Sequence, residues 1–251
     1  MKPHLLTIIL LLTITQTLYA QTVPEWVIKG LGDGDNKNYE AAIADYTRAI
    51  AIDPRYSDAW YYRGQVKSVL GRYNGAIADF THVIALYPKS PYAYYCRGMA
   101  KLKLRHYTSA VPDFDRAILL DSGYISAFYV RGVAKNLSGR FAEAVADYNH
   151  VIKARSRDTC AYYKRAEAKN NLGLYAGAIA DCSHAIALDP KSSYAYMYRG
   201  YAYYKLGKTK ENFRKAIADY DMAVQLGDSH EKPGFMYRGK AVVALLSAEG
   251  S

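Results

Sequence analysis

Three charged residue types recur through this chain at one spacing. Arg63, Arg97, Arg131, Arg165 and Arg199 stand 34 residues apart, and Lys67, Lys101, Lys135 and Lys169 each follow four residues after one of them. Asp45, Asp79, Asp113, Asp147 and Asp181 keep the same period, with Asp219 and Arg238 continuing the columns. An Arg and a Lys four apart share one face of a helix. Such a face could be a cationic stripe that binds anions, or half of an ion-pair ladder. The parallel Asp column favours the ladder, because a free stripe needs no counter-charges. The expectation is an Arg–Asp pair between antiparallel helices, with each Lys laying its stem on the protein and carrying its charge out to water.

Other residue types that could do chemistry fail on their companions. His82, His150 and His184 share a column with Arg48 and Arg116 and have no carboxylate or thiolate beside them, so they do not read as metal ligands. The stretch DGDN at Asp33–Asn36 opens like a calcium loop. Lys37 and Ala44 then occupy slots that need acidic ligands, so it reads as a turn between helices. Cys96, Cys160 and Cys182 are an odd number and form no CxxC, and their spacing argues against a bridge among them. No GxSxG, HExxH or phosphate-loop motif is present. Catalytic, cofactor-binding and metal-binding residues are therefore assigned to none.

The elements that carry these columns repeat as units. WYYRGQVKSVLGRYNGAIADF from Trp60, FYVRGVAKNLSGRFAEAVADY from Phe128 and YYKRAEAKNNLGLYAGAIADC from Tyr162 are variants of one helix–turn–helix sentence. Aromatics recur at Trp26, Trp60, Tyr94, Phe128, Tyr162, Tyr196 and Phe235. Small residues recur at Gly64, Gly98, Gly132 and Gly200, with Ala166 in the fifth slot, and at Ala42, Ala76, Ala110, Ala144, Ala178 and Ala216. Pro54, Pro88 and Pro190 close second helices. A 34-residue period of this kind resembles the tetratricopeptide repeat family. The resemblance covers residues 23 to about 230, plus one further helix. It implies an all-α, right-handed superhelical solenoid, with repeats at about 23–56, 57–90, 91–124, 125–158, 159–192 and 193–230 and a C-terminal helix at about 232–248.

The chain departs from the family in three ways. The family usually carries Leu, Tyr and Tyr where this chain has its Arg, Lys and Asp columns. Four extra residues stand inside KLGKTKENFRK of the sixth repeat. In the first repeat, Gly30, Gly32 and Gly34 predict a shortened first helix.

The resemblance also implies a function, binding another protein, with the first helices lining a concave groove. The groove positions are Tyr61, Gln65, Tyr95, Met99, Tyr129, Asn136, Tyr163, Glu167, Asn170 and Tyr201. They describe a tyrosine-lined track for an extended peptide or a helix, with Glu167 and Asn170 as polar anchors. A clamp for chain-terminal carboxylates needs Lys and Asn in the first repeat, and Val27 and Leu31 stand there instead. The excess of tyrosine, 26 against 6 Phe and 2 Trp, suits such a surface.

The first twenty residues belong to none of this. Lys2 and His4 precede the apolar run LLTIILLLTI, and TQTLYA ends on Ala20, the pattern of a secretory signal peptide. The expected location is therefore outside the cytosol, periplasmic or extracellular, with no transmembrane segment after cleavage. Loss of Lys2 takes the formal net charge from +10 to +9. No basic block is long enough for a nucleic-acid tail. The alternative to peptide binding is a charge-driven adaptor for anionic envelope glycan or lipid. Salt separates the two, because only the second should weaken steeply in it.

Overall fold

The computed structural model describes residues 22–207, 209–227 and 232–249. The expected signal peptide at residues 1–20 and Lys208 of the inserted stretch lie outside the described residues. Regular structure among the described residues is helical throughout, thirteen helices and no strand, as the all-α repeat reading requires. By internal contacts the chain divides into two units, Met1–Leu104 and Arg105–Ser251. The first holds α1 (Val23–Asp35), α2 (Tyr39–Ile52), α3 (Ser57–Val69), α4 (Tyr73–Leu86) and α5 (Pro91–Lys103). The second holds α6 (Tyr107–Leu120), α7 (Ile125–Leu137), α8 (Phe141–Ala154), α9 (Thr159–Asn171), α10 (Tyr175–Leu188), α11 (Ser193–Leu206), α12 (Lys210–Leu226) and α13 (Lys232–Glu249).

Hairpins α1–α2, α3–α4, α7–α8 and α11–α12 each close on a glycine. A Cβ on Gly64 would sit 2.9 Å from the Phe80 ring, and one on Gly132 would sit 2.9 Å from the Tyr148 ring. Gly30 under Tyr46 is tighter still, at 2.6 Å. The glycine is a socket, and the aromatic of the facing helix fills it. Those rings are fully buried, so each hairpin removes a large apolar surface from water at one contact. The fifth copy of the contact changes both partners together. Ala166 replaces the glycine, and the smaller Cys182 replaces the ring; both are fully buried in one cluster with Ala178 and Ala202. Burial pushes the Cys182 thiol far above its ordinary pKa, which leaves it a packing residue. All three cysteines are unbridged.

The turn between paired helices uses one left-handed residue, again 34 apart. Gly71, Gly139 and Gly173 have φ of 73°, 82° and 76°, whereas Lys37 and Arg105 take 62° and 61° with a side chain attached.

The shortened first helix expected from Gly30, Gly32 and Gly34 does not occur. α1 has 13 residues, the same as α3. The Glu25 carboxylate accepts the Thr22 N–H at 2.6 Å and caps its start. Gly30 is required as a socket, and burial of Val27 offsets the propensity cost of Gly32 and Gly34. DGDN accordingly continues α1 to Asp35 before the turn begins. The four residues inserted in the sixth repeat lengthen its helices. α11 has 14 residues against 13 in α9, and α12 has 17 against 14 in α10.

The paired change at Ala166 and Cys182 yields an expectation. Cys182→Tyr alone should destabilise by about 1–3 kcal/mol through overpacking. Adding Ala166→Gly should recover most of that loss in urea denaturation of the full chain. Equal losses in the single and double variants would show that the socket does not extend to this repeat.

Candidate functional site

The repeated charges meet at buried carboxylates. Asp147 is 3% exposed. Arg131 donates to it twice, Nε to Oδ2 at 3.0 Å and Nη2 to Oδ1 at 2.5 Å. Arg63–Asp79, Arg165–Asp181 and Arg199–Asp219 repeat this two-pronged geometry at 2.6–3.0 Å. The sixth-repeat pair survives the insertion, with 20 residues between partners instead of 16. The lysines do not carry their charges out to water. Lys67, Lys135 and Lys169 turn inward, with Nζ 2.8–2.9 Å from the same carboxylates. Two cations on one buried carboxylate satisfy its oxygens, so burial favours the inward lysine over the snorkelled one.

The third nitrogen of each arginine points the other way, to the second helix of the preceding repeat. Arg63 Nη1 donates to Thr47, Arg97 to Thr81, Arg131 to Asp115, Arg165 to Asn149 and Arg199 to Ser183, over 2.7–3.2 Å. In Arg63, Arg131, Arg165 and Arg199 one side chain thus closes its hairpin and stitches it to the preceding repeat. Burial works against the Arg131 charge, but Asp147 and Asp115 outweigh it and hold the guanidinium above its ordinary pKa. The guanidinium planes also lie over the aromatic column, 4.7 Å from Trp60 and 5.2 Å from Phe128. The histidine column packs against those same aromatics. His82 lies 3.9 Å from Trp60 and His150 3.8 Å from Phe128, centroid to centroid.

In the first unit the structure brings Tyr61 and Gln65 together. Gln65 hydrogen-bonds the Tyr61 hydroxyl, which lies 3.9 Å from Cys96 Sγ. Burial raises the pKa of Tyr61, and likewise of Tyr95. Tyr95 and Met99 are half-buried on α5. Beside Tyr61 opens a cavity of about 670 Å³, which individual repeat positions do not signal. Tyr56, Tyr62, Tyr87 and Tyr92 line it with Asp53, Arg55 and Asp58.

In the second unit Tyr129, Tyr163 and Glu167 converge. The Tyr163 ring stacks on Tyr194 at 5.6 Å and on Tyr198 at 6.3 Å. Its hydroxyl donates to Cys160 Sγ at 3.4 Å. Lys164 Nζ donates to Glu167 at 2.9 Å. Burial raises the pKa of Tyr198 first, and the neighbouring Glu167 charge adds to it. Burial raises that of Tyr129 as well, with Cys160, Asp158 and Glu167 reinforcing it. Tyr194 and Tyr198 are the members that repeat reasoning missed; the YAYMY run at Tyr194–Tyr198 is their sequence signal. Asn136 and Asn170 are 7% and 5% exposed and act as braces. Asn170 Nδ2 donates to the Tyr198 carbonyl at 3.0 Å, and Asn136 Oδ1 accepts from Asn171 at 3.3 Å. Tyr201 packs beside the cluster of Ala216, Tyr220 and Ala241.

Comparison with known proteins agrees with this architecture. Tetratricopeptide repeat family models match residues 35–68, 58–90, 95–159 and 129–193. The chain belongs to the tetratricopeptide repeat family. No curated protein sequence matches it significantly. Among solved structures, PilW, described as a widely conserved type IV pilus biogenesis factor, aligns with TM-score 0.69 at 18% identity, over 85% of this chain and 97% of PilW. YrrB, described as a TPR protein with an unusual peptide-binding site, aligns with TM-score 0.64 at 19% identity, over 77% of this chain and 97% of its own. MamA from Desulfovibrio magneticus RS-1 aligns with TM-score 0.63 at 20% identity, over 70% of this chain and 97% of its own. At these identities the likeness is one of fold.

The sixth repeat gives a pH expectation. Tyr203 stands where a lysine would complete the set around Asp219. Burial raises the Asp219 carboxyl above its ordinary value, and Arg199 only partly offsets this. The native state then holds a proton that the unfolded chain has released, so this site loses stability as pH rises through that window. Urea midpoints of the full chain should therefore fall relative to Asp219→Asn as pH rises from about 4 to neutrality. A difference that stays flat or grows would contradict the reading.

Proposed function

We propose that this chain is a non-catalytic scaffold outside the cytosol that holds a peptide or helix of another protein against its tyrosine-lined first helices. One observation carries the reading. Tyr163, Tyr194 and Tyr198 form a stacked aromatic surface beside the Glu167–Lys164 pair, and Tyr194 is 41% exposed. Aromatic rings with polar tips next to one charged pair suit a protein segment. In the first unit, Tyr61, Gln65, Tyr95 and Met99, with the adjoining tyrosine cavity, supply a second stretch of the same chemistry. The location rests on the apolar run of residues 5–14.

The ion-pair columns argue against the charge-driven alternative. Arg63, Arg131, Arg165 and Arg199, with Lys67, Lys135 and Lys169, are spent on buried aspartates and cannot form a free anion-binding stripe.

Tyr194 gives the clean test, because it is exposed, whereas Tyr129 and Tyr163 pack against neighbouring repeats. Capture of cell-envelope proteins by the full chain should be lost in Tyr194→Ala, by more than about 1 kcal/mol for an isolated partner, with circular dichroism unchanged. It should survive moderate salt. Capture that ignores Tyr194→Ala and collapses in salt would support the envelope-surface alternative instead.

A further inference from the structure

The interior of the chain repeats one recognition rule. A cation followed by glycine on a first helix faces an aspartate followed by an aromatic on the next helix. Lys29–Gly30 faces Asp45–Tyr46, Arg63–Gly64 faces Asp79–Phe80, Arg131–Gly132 faces Asp147–Tyr148, and Arg199–Gly200 faces Asp219–Tyr220. The cation takes the carboxylate, and the glycine admits the ring.

Helix α13 carries the receptor half, Arg238–Gly239, with no such helix over it among the described residues. Nothing lies within 4 Å of a Cβ built on Gly239, whereas the same Cβ on Gly132 or Gly30 would collide with a ring. The Arg238 side chain is 44% exposed, against 12–21% for Arg63, Arg131, Arg165 and Arg199. Among the described residues it keeps only the backward contact of its column, Nε donating to Asp221 of the preceding repeat. Along the same helix, Val243 and Leu246 are 64% and 62% exposed. A depression of about 550 Å³ opens at Gly239, bordered by Tyr204, Val243 and Ala244. The opposite side of α13 is in place, with Ala241 fully buried against Ala216 and Tyr220.

We propose that this face of α13 is a docking site for a helix from a different protein, an amphipathic helix bearing adjacent Asp and Tyr or Phe. Its apolar residues would stand three before the Asp and three after the aromatic, the pattern of Ala144, Asp147, Tyr148 and Val151. Its carboxylate would meet Arg238, its ring would enter the Gly239 socket, and its length would cover Val243 and Leu246. Charge complementarity and the in-chain precedents select this occupant. A second copy of the chain is a poor one, because its own Asp–aromatic pairs are buried. The site is separate from the tyrosine face, so the two proposals stand or fall independently.

The probe is the α8 segment itself, a fluorescent peptide FAEAVADYNHVIKA, stapled as a helix through the positions of Ala142 and Ala146, which are exposed in the chain. It should bind the full chain saturably. Binding should weaken more than about tenfold when the peptide carries Tyr148→Ala, and as much when the chain carries Gly239→Leu. Leucine at an exposed helical glycine favours the helix, so Gly239→Leu should keep its full helical signal. Tyr194→Ala should leave peptide binding unchanged. Three results would overturn the proposal: no saturable binding, binding indifferent to Gly239→Leu, or a dimer in sedimentation that Gly239→Leu dissolves, which would make a second copy the occupant.

Discussion

A buried carboxylate in the second helix of each hairpin is the constraint on which the rest of this structure depends. Removing an aspartate from water costs several kcal/mol unless its oxygens are met. In the hairpins of Asp79, Asp147 and Asp181 they are met by an arginine fork and an inward lysine, and at Asp219 by the fork. The requirement fixes the register of the two helices, because the fork reaches both oxygens at one axial setting. The same arginine has a third donor to place, and it places it on the preceding repeat. Guanidinium is the group that can do all three at once. The first hairpin manages with Lys29 and Arg48 around Asp45; among the described residues no earlier repeat calls for a third contact.

The glycine socket lies one residue beyond each arginine, and the aromatic one residue beyond each aspartate. Electrostatic and apolar recognition are therefore read from adjacent residues on both helices. If the register slipped, the carboxylate would lose its partners and the ring would strike a backbone without a socket. Specificity is where such pairs have their clearest use, since the net stability of a buried ion pair is small. The fifth repeat shows that the two halves separate. Ala166 and Cys182 abandon the ring and its socket, while Arg165, Lys169 and Asp181 keep the ion pairs.

Much of this was legible in sequence, because a 34-residue period multiplies each signal. The hairpins, the Arg–Asp pairing and the inserted sixth repeat all follow from columns. What stayed hidden depends on neighbours that a single helix face does not display. The lysine column was expected in water, yet the carboxylate beside it had room for a second donor. Asn136 and Asn170 looked like partner-facing groups, but the following repeat covers them and turns them into braces. The histidines, which the columns showed only to lack metal-site companions, stack on the aromatics of the facing helix. Gly30 looked like a helix breaker because its ring partner, Tyr46, stands sixteen residues away. Tyr194 and Tyr198 escaped because they join the face of Tyr163 only through stacking between repeats.

Arginine, lysine and aspartate act as one unit in the hairpins of Asp79, Asp147 and Asp181. Stepwise replacement in the fourth hairpin tests it most directly, by urea denaturation of the full chain. Arg131→Leu alone should cost about 3 kcal/mol, because it strips a buried carboxylate of its main partner. Adding Asp147→Tyr should recover little, because Lys135, only 7% exposed, then loses its own partner. Adding Lys135→Tyr as well, which restores the family's usual trio, should recover most of the loss. Full recovery in the double variant would remove the lysine from the unit, and losses that simply add through the triple variant would contradict the account.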